Sequence, residues 1–227
     1  MQMVLFDVED RVRKLGCSQL GERCERKLLL LSYGFSGRFR KHVLRVMEVG
    51  KLLEPLVVKW LMEDGYRVMY PEREREVDFA IKVGGGYVVG RYDLLIFEDD
   101  EIVVSDIKVV SLESCYKARK FDFDRWREDP FLCKYLVQLH GYVWGLRQVN
   151  LPLFNGLSES KAKLVLFSRE NLSYWIVDLE VRLDWFEQEI LERVKRVFSY
   201  GLIDGLMRLD FDNRECEVCE FSVVCGF

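Results

Sequence analysis

Two aspartates interrupt an otherwise strand-like stretch from Arg91 to Val109, which reads RYDLLIFEDDEIVVSDIKV. If Asp99 and Asp100 form a two-residue turn, Asp93 of the first strand lies opposite Asp106 of the second. Directly opposed side chains on paired strands have Cβ atoms about 4.5–5.5 Å apart. Two carboxylates at that separation among apolar neighbours repel each other unless a cation or a proton lies between them. The hairpin therefore predicts a site that holds a cation or a proton.

A lysine adds positive charge to the same predicted sheet face. Side chains alternate along a strand, and Lys108 follows Asp106 by two residues. Carboxylate oxygens suit magnesium or manganese, and a neighbouring lysine can orient water or stabilise charge on a phosphate. The pattern thus predicts a hard-metal site with an adjacent cation. The alternative is a different strand register, with both acids at a solvated strand end.

A second group with metal-ligand chemistry lies in the segment RECEVCEFSVVCGF. Its cysteines, Cys216, Cys219 and Cys225, have the spacing Cys-x2-Cys-x5-Cys. Zinc sites and iron–sulfur clusters take four such ligands, so a fourth is expected elsewhere in the chain. Zinc in place of iron, or unrelated buried thiols, are the alternatives. Cys115 and Cys133 lie in helix-like apolar patterns that are typical of a core.

The composition is that of an ordinary globular domain, with 49% hydrophobic and 32% charged residues among 227. The net charge of −4 gives no overall positive field to indicate nucleic acid, although a local basic groove would suffice. We expect a cytoplasmic protein, since no apolar run reaches the length of a membrane span and the N-terminus lacks the order of a signal peptide. In that compartment, cysteines favour thiols or metal ligands over disulfides.

The elements that position these residues follow from periodicity and turn signals. One helix is predicted to begin at a cap at Asp7, and a second lies in CERKLLLLSYG. A third runs from about Ser36 to Gly65, with a kink or restart at Pro55. Two more are predicted from Pro130 to about Arg147 and over 184–206. Strands are predicted at about 66–70, 76–82, 87–97 and 102–110, and in LVLFS and YWIVDLEV.

This order predicts an α/β fold in which helices flank a mixed central β-sheet. We expect a single domain over residues 1–227. It would comprise a helical arm (1–65), a core of sheet and helices (66–182), and a C-terminal helix with the cysteine tail (183–227).

Four short motifs, taken in order, resemble the RecB-like branch of the PD-(D/E)xK nucleases. They are Gly-x3-Glu (Gly50 to Glu54), Gly-Arg-Tyr-Asp (Gly90 to Asp93), Asp-Ile-Lys (Asp106 to Lys108) and Gln-x3-Tyr (Gln138 to Tyr142). The resemblance covers about residues 20–145. It implies a restriction-endonuclease-like core and a metal-dependent deoxyribonuclease, more narrowly an exonuclease that acts on single-stranded or end-bearing DNA.

The resemblance also implies a role for each matching residue. Glu54, Asp93 and Asp106 would bind Mg²⁺ or Mn²⁺, Lys108 would position the attacking water, and the Gln-x3-Tyr pair would organise the substrate or the active-site groups. Many relatives have histidine at the position of Glu54 and glutamate at that of Asp106, which leaves the number of bound metals open.

With its cysteine tail, the chain resembles CRISPR-associated Cas-four-type exonucleases and AddB-like helicase–nucleases. These proteins close an iron–sulfur cluster with one cysteine ahead of the nuclease core, and Cys24 matches that position, with Cys17 in reserve. The resemblance implies a 4Fe–4S rather than a 2Fe–2S cluster on Cys24, Cys216, Cys219 and Cys225. The lack of a Walker A motif argues against a helicase fusion.

The partners implied by the resemblance are DNA and the CRISPR integrase proteins. A viral or repair exonuclease of the same fold and a non-catalytic DNA-binding iron–sulfur module are the alternatives. Basic residues followed by aromatics form a candidate single-strand contact, the alternative being a solvated loop with partly buried rings. The residues of this contact are Lys117, Arg119, Lys120, Phe121, Phe123 and Trp126. His42 and His140 are expected to lie outside the site.

Overall fold

The computed structural model describes residues 12–37, 39–71, 77–149, 152–211, 216, 219–221 and 225. Its strands are β1 (Lys14–Gly16), β2 (Arg67–Met69), β3 (Phe79–Val83), β4 (Gly86–Gly90), β5 (Leu94–Glu98), β6 (Glu101–Val110), β7 (Leu157–Ser168) and β8 (Tyr174–Glu180). Its α-helices are α1 (Glu25–Ser32), α2 (Lys41–Glu63), α3 (Leu112–Ala118), α4 (Phe123–Glu128), α5 (Leu132–Gln148), α6 (Leu183–Trp185), α7 (Glu192–Ser199) and α8 (Leu202–Arg208). A π-helical turn, Phe186–Leu191, joins α6 to α7. The helix predicted near Asp7 lies outside the described residues.

The strands form two sheets. The larger sheet has the order β2-β5-β6-β7-β8, and it is mixed as predicted, because β6 and β7 are parallel while its other neighbours are antiparallel. The smaller sheet has the order β1-β4-β3. The expectation of one central sheet is therefore wrong for these three strands. The expected helical arm also contains a strand, since β1 pairs in parallel with β4.

The strand predicted over residues 87–97 is two strands in different sheets. The chain leaves the smaller sheet after Gly90, where an added Cβ would lie 2.2 Å from the ring of Phe79. The crossing segment is fixed by the backbone N–H of Tyr92, which donates to Oδ2 of Asp78 at 3.1 Å. Alternating apolar residues indicate a strand but not the sheet it joins, so the sequence pattern could not predict that residues 87–97 are divided between two sheets.

The hairpin between β5 and β6 has the predicted turn and register. Asp99 and Asp100 connect the two strands, and Leu95 pairs with Val104. Asp99 adopts a φ of 44°, a left-handed conformation that aspartate tolerates in tight turns. The register therefore directs Asp93, just before β5, towards Asp106 in β6.

The core lies on both faces of the larger sheet. The C-terminal half of α2 buries Val57 and Leu61 against one face, and α5 packs against the other. The helix does not restart at Pro55, because α2 continues across it, and a kink there stays a prediction. The helix ends, as predicted, before Gly65, whose φ is 92°. None of the described helices is long and apolar enough to cross a lipid bilayer.

The long helix predicted over 184–206 is interrupted between α7 and α8, and its first part comprises α6 and the π-helical turn that leads into α7. The guanidinium of Arg13 donates to the carbonyl oxygens of Val197, Phe198 and Tyr200 at 2.8–2.9 Å. Helix C-termini leave carbonyl groups without hydrogen-bond partners, and here the Arg13 side chain, next to β1, supplies the donors. The sequence near α7 cannot predict where this helix ends, because Arg13, which binds its last carbonyl groups, is more than 180 residues away.

Candidate active site

The two predicted acids meet where β5 begins beside β6. Asp106 is fully buried, and Asp93 is half-buried. The backbone N–H of Ile107 donates to Oδ2 of Asp93 at 2.9 Å, which holds this carboxylate against β6. Burial raises the pKa of Asp106 well above its ordinary value; Lys108 lowers it, and the charge of Asp93 raises it.

Lys108 lies against Asp106, with its Nζ 2.5 Å from Oδ2. The contact is a short ion pair, so the partner of this buried oxygen is the ammonium group of Lys108. Burial lowers the pKa of Lys108, but the charges of Asp106 and Asp93 outweigh it and raise the pKa above its ordinary value. The side chain is 24% exposed, so part of it borders solvent.

The Gln-x3-Tyr pair contacts the same carboxylate from α5. Nε2 of Gln138 donates to Oδ1 of Asp106 at 2.8 Å and to the hydroxyl oxygen of Tyr142 at 2.6 Å. Residues four apart on a helix lie on one face, which allows both contacts. Gln138 and Tyr142 are almost fully buried. They orient Asp106 rather than face solvent.

Glu54 and Asp93 line the same cavity. The cavity has a volume of about 200 Å³, and Lys51, Arg91, Tyr92, Tyr70 and Pro71 complete its wall. Asp106 is not part of this wall. No three histidine, cysteine, aspartate or glutamate side chains among the described residues stand close enough together to hold a metal ion. The structure thus unites Asp93 with Asp106 and, separately, Asp93 with Glu54.

The donor set at Asp93 and Asp106 fits a hard divalent cation. Two carboxylates face each other, and Oδ2 of the buried Asp106 has Lys108 as its charged partner. A divalent cation would neutralise the repulsion between the two acids and takes oxygen ligands. The neighbouring cavity gives a ligand access to Asp93.

Three further residues belong to this site and were not singled out in the sequence. Lys51 and Arg91 place cations on the cavity wall. The ring of Tyr135 lies under Lys108, with the ring centroid 5.7 Å from Nζ. The helical spacing in the sequence would have identified two of these residues, since Lys51 lies one helical turn before Glu54 and Tyr135 one turn before Gln138.

The predicted cluster ligands come from the two ends of the described chain. Burial, and then the nearby sulfurs of Cys24 and Cys219, raise the pKa of the Cys225 thiol to about 11, and Cys216 also contributes. The backbone N–H of Phe221 donates to Sγ of Cys219 at 3.4 Å. Cys225 is within electrostatic reach of the other three thiols, and Cys219 of Cys24, although no three of the described cysteines are within metal-binding distance. Thiol donors suit an iron–sulfur cluster or zinc, but the four side chains do not form such a site as they stand.

Cys17, the reserve ligand, lies elsewhere. It is buried beside α5, where its Sγ is 2.9 Å from the position of a Cβ on Gly141. Cys115 and Cys133 are buried core residues, as predicted.

Two expectations about the remaining polar and aromatic residues have different outcomes. Phe123 and Trp126 are buried, with Trp126 fully so, and the expectation that they stack on single-stranded bases is wrong. Their apolar rings fill the core beside α5 instead.

His140 is fully buried and has a structural role, as predicted: Nδ1 contacts the carbonyl oxygen of Leu136 at 2.8 Å, and Nε2 accepts the backbone N–H of Arg182 at 2.9 Å. His42 is exposed.

Comparison with known proteins supplies the family. One solved structure with a similar fold is described as the crystal structure of SSO0001; it is 17% identical, with a TM-score of 0.53 over 95% of this chain and 87% of that one. No curated protein gave a match. The model of the PD-(D/E)XK nuclease superfamily matches residues 38–226, well over half of the chain, and this range contains both acids and the lysine. The chain therefore belongs to the PD-(D/E)XK nuclease superfamily.

Proposed function

We propose that this chain hydrolyses phosphodiester bonds in DNA as an exonuclease on single-stranded or end-bearing substrates. Its superfamily indicates a nuclease that uses Mg²⁺ or Mn²⁺. The observation that carries the proposal is the convergence of Asp93, Asp106 and Lys108, with one acid opening onto the cavity that Glu54 lines. A non-catalytic DNA-binding module has less support, because the acids and the lysine are all present.

Each residue of the site then has a chemical task. Asp93 and Asp106, with Glu54 from the cavity wall, would hold the divalent cation, which supplies Lewis-acid charge and acidifies water when bound. Lys108, held by Asp106 and the ring of Tyr135, donates a hydrogen bond to the attacking water or to a phosphate oxygen.

The residues around these groups fix their geometry and balance their charge. Gln138 keeps the Asp106 carboxylate in one orientation. Lys51 and Arg91 balance phosphate charge at the cavity.

We further propose that Cys24, Cys216, Cys219 and Cys225 bind an iron–sulfur cluster. The nearness of Cys225 to the other three thiols and the N–H group donated to Cys219 support this proposal. The preference for 4Fe–4S, and a place in CRISPR adaptation with the integrase proteins as partners, come from the sequence resemblance.

The direct test is degradation of end-labelled single- and double-stranded DNA with Mg²⁺, with Mn²⁺ or with chelator. We expect cleavage that needs the metal and starts at an end. Lys108→Met should slow it at least about a hundredfold, the scale of a positioned proton-transfer group, while Lys59→Met should not. Lys59 is a matched control, since it lies on α2 with 68% of its side chain exposed. Metal-independent cleavage, or normal cleavage by Lys108→Met, would contradict the proposal.

A further inference from the structure

The N-terminal half of α2 extends beyond the sheet that its C-terminal half covers. Val57 and Leu61 are fully buried on the sheet. The same helix face continues towards the N-terminus, where Met47 is 48% exposed. Further large apolar residues are exposed on this half of the helix: Leu44, Val46, Val49 and Leu52. Exposed apolar side chains grouped on one helix face are typical of a binding site; here Leu44 and Met47 share a face, whereas Val49 and Leu52 lie on the opposite one.

One line of side chains on this half ends in the active-site cavity. Arg40, Leu44, Met47, Lys51 and Glu54 are spaced alternately four and three residues apart, which places them along one helix face. We call them the α2 stripe. It begins and ends with charged groups, and Lys51 and Glu54 line the cavity. From Arg40 to Glu54 the stripe is about 21 Å long at 1.5 Å per residue.

From this geometry we infer that the α2 stripe is the wall along which a single DNA strand lies as it enters the active site. Proteins bind single strands by combining cations that contact phosphates with flat or apolar surfaces that contact bases. The stripe has both, since Leu44 and Met47 lie between Arg40 and Lys51. A duplex presents sugars and phosphates on its outside, so it would leave these apolar side chains uncovered.

The position of the stripe favours DNA over a protein partner. A protein that covered Leu44 and Met47 would also cover Lys51 and Glu54, and it would close the cavity beside Asp93. A strand that follows the stripe instead delivers a phosphate into that cavity. The inference thus rests on the proposed nuclease function and adds the strand-holding surface.

Two double variants on α2 distinguish the role of the α2 stripe from that of the opposite face of the same half-helix. Leu44→Gln/Met47→Gln changes the stripe, and Val49→Gln/Leu52→Gln changes the opposite face of the same half-helix. The four side chains are 43–68% exposed, so neither pair should affect folding. The readout is the affinity for a fluorescent oligothymidylate in chelator, together with kcat and KM with Mn²⁺.

We expect the stripe variant to bind the oligothymidylate at least about tenfold more weakly, the scale of lost base contacts. Its KM should rise while kcat is retained, and the opposite-face variant should behave like the unmodified protein. Arg40→Gln should reduce the slope of log affinity against log salt by about 0.7, the value for one phosphate of a single strand.

Three results would overturn the inference. If both pairs weaken binding equally, or neither does, while the unmodified protein still cuts DNA, the stripe is not the strand wall although the nuclease proposal stands. If the stripe variant changes an oligomer into a monomer without changing DNA affinity, the face is an interface between copies. If the unmodified protein neither binds nor cuts DNA, the proposed function fails first and the inference fails with it.

Discussion

Asp106 is fully buried and lies between groups of opposite charge. Gln138 donates to one of its oxygens, Lys108 lies 2.5 Å from the other, and Asp93 repels it. Burial is the largest influence, and it raises the pKa of this carboxyl group. The side chain is therefore costly in the folded protein until a cation binds, as expected of a functional rather than a stabilising residue.

We expect Asp106→Asn to abolish cleavage without destabilising the metal-free protein. The amide keeps the shape of the carboxylate but cannot repel Asp93, and this relief offsets the lost ion pair with Lys108. The second readout is thermal unfolding: Mn²⁺ should raise the melting temperature of the unmodified protein, because ligands stabilise the state that binds them. It should leave that of Asp106→Asn unchanged. An equal response in both proteins would show that Asp106 does not bind the cation.

At the scale of elements, α5 carries both the groups that orient Asp106 and a residue that fixes α5 itself. His140 joins the helix to the chain before α6 through the N–H of Arg182. Burial, the largest influence, lowers the pKa of His140 to about 4, and Arg182 lowers it while Asp184 and Glu180 raise it. Protonation would remove the lone pair that accepts the N–H of Arg182.

The stability contributed by neutral His140 should be lost as the pH falls. The folded-state pKa is below the ordinary value of 6.5, so the unfolded chain binds the proton more readily and stability falls between pH 6.5 and about 4. The size of this loss is on the order of 3 kcal/mol from the pKa difference. Urea unfolding across this range should show a shallower pH dependence for His140→Gln. An identical slope in the two proteins would refute the assignment.

A second element-scale contact fixes the cysteine tail to α1. Nζ of Lys27 lies 3.1 Å from a carboxylate oxygen of Glu22 and 3.1 Å from one of Glu220, and all three side chains are largely buried. Glu220 lies between Cys219 and the buried Phe221. The tail is thus held beside Cys24 by charge and apolar packing in addition to any metal.

Glu220→Gln should therefore destabilise the protein by about 1–2 kcal/mol in urea unfolding, since Lys27 retains Glu22 but loses one charged partner. Glu192→Gln is the matched control. Its ion pair with Lys195 is mostly exposed, and such pairs contribute less than about 1 kcal/mol. If both variants lose the same stability, the Lys27–Glu220 contact has no special role in docking the tail.

At the scale of the molecule, the two ends of the described chain meet at α1. Cys24 occupies the N-cap position of α1, and the backbone N–H of Glu25 donates to the carbonyl oxygen of Asp210 at 3.1 Å. A cluster that joins Cys24 to Cys225 would close almost the whole chain into a loop. Closing a long loop constrains the unfolded chain, and metal binding adds its own free energy to folding.

We expect Cys24→Ala to give protein without the brown colour of an iron–sulfur cluster and with a lower melting temperature. Cys17→Ala should keep the colour, because Cys17 is packed against Gly141 and not among the tail thiols. Absorbance and iron content measure the difference. Loss of colour in Cys17→Ala alone would reassign the fourth ligand, and colour in both variants would refute an N-terminal ligand.

The sequence by itself determined the features that depend on neighbouring residues. The Asp99–Asp100 turn fixes the hairpin register, which sends Asp93 towards Asp106, and the alternation of side chains puts Lys108 on the same face. The turn between α2 and β2 is likewise local, because Gly65 supplies a positive φ. The roles of these residues in catalysis and of the four cysteines in cluster binding stay predictions.

Only the tertiary structure decided what depends on residues far apart in the chain. It divided residues 87–97 between two sheets, since the ring of Phe79 packs against Gly90. It ended α7, since Arg13 takes the last carbonyl groups. It buried Trp126 and left Met47 exposed, although both have the apolar character of a core residue. Local patterns record which side chains prefer to leave water, but only packing determines which of them have protein to pack against.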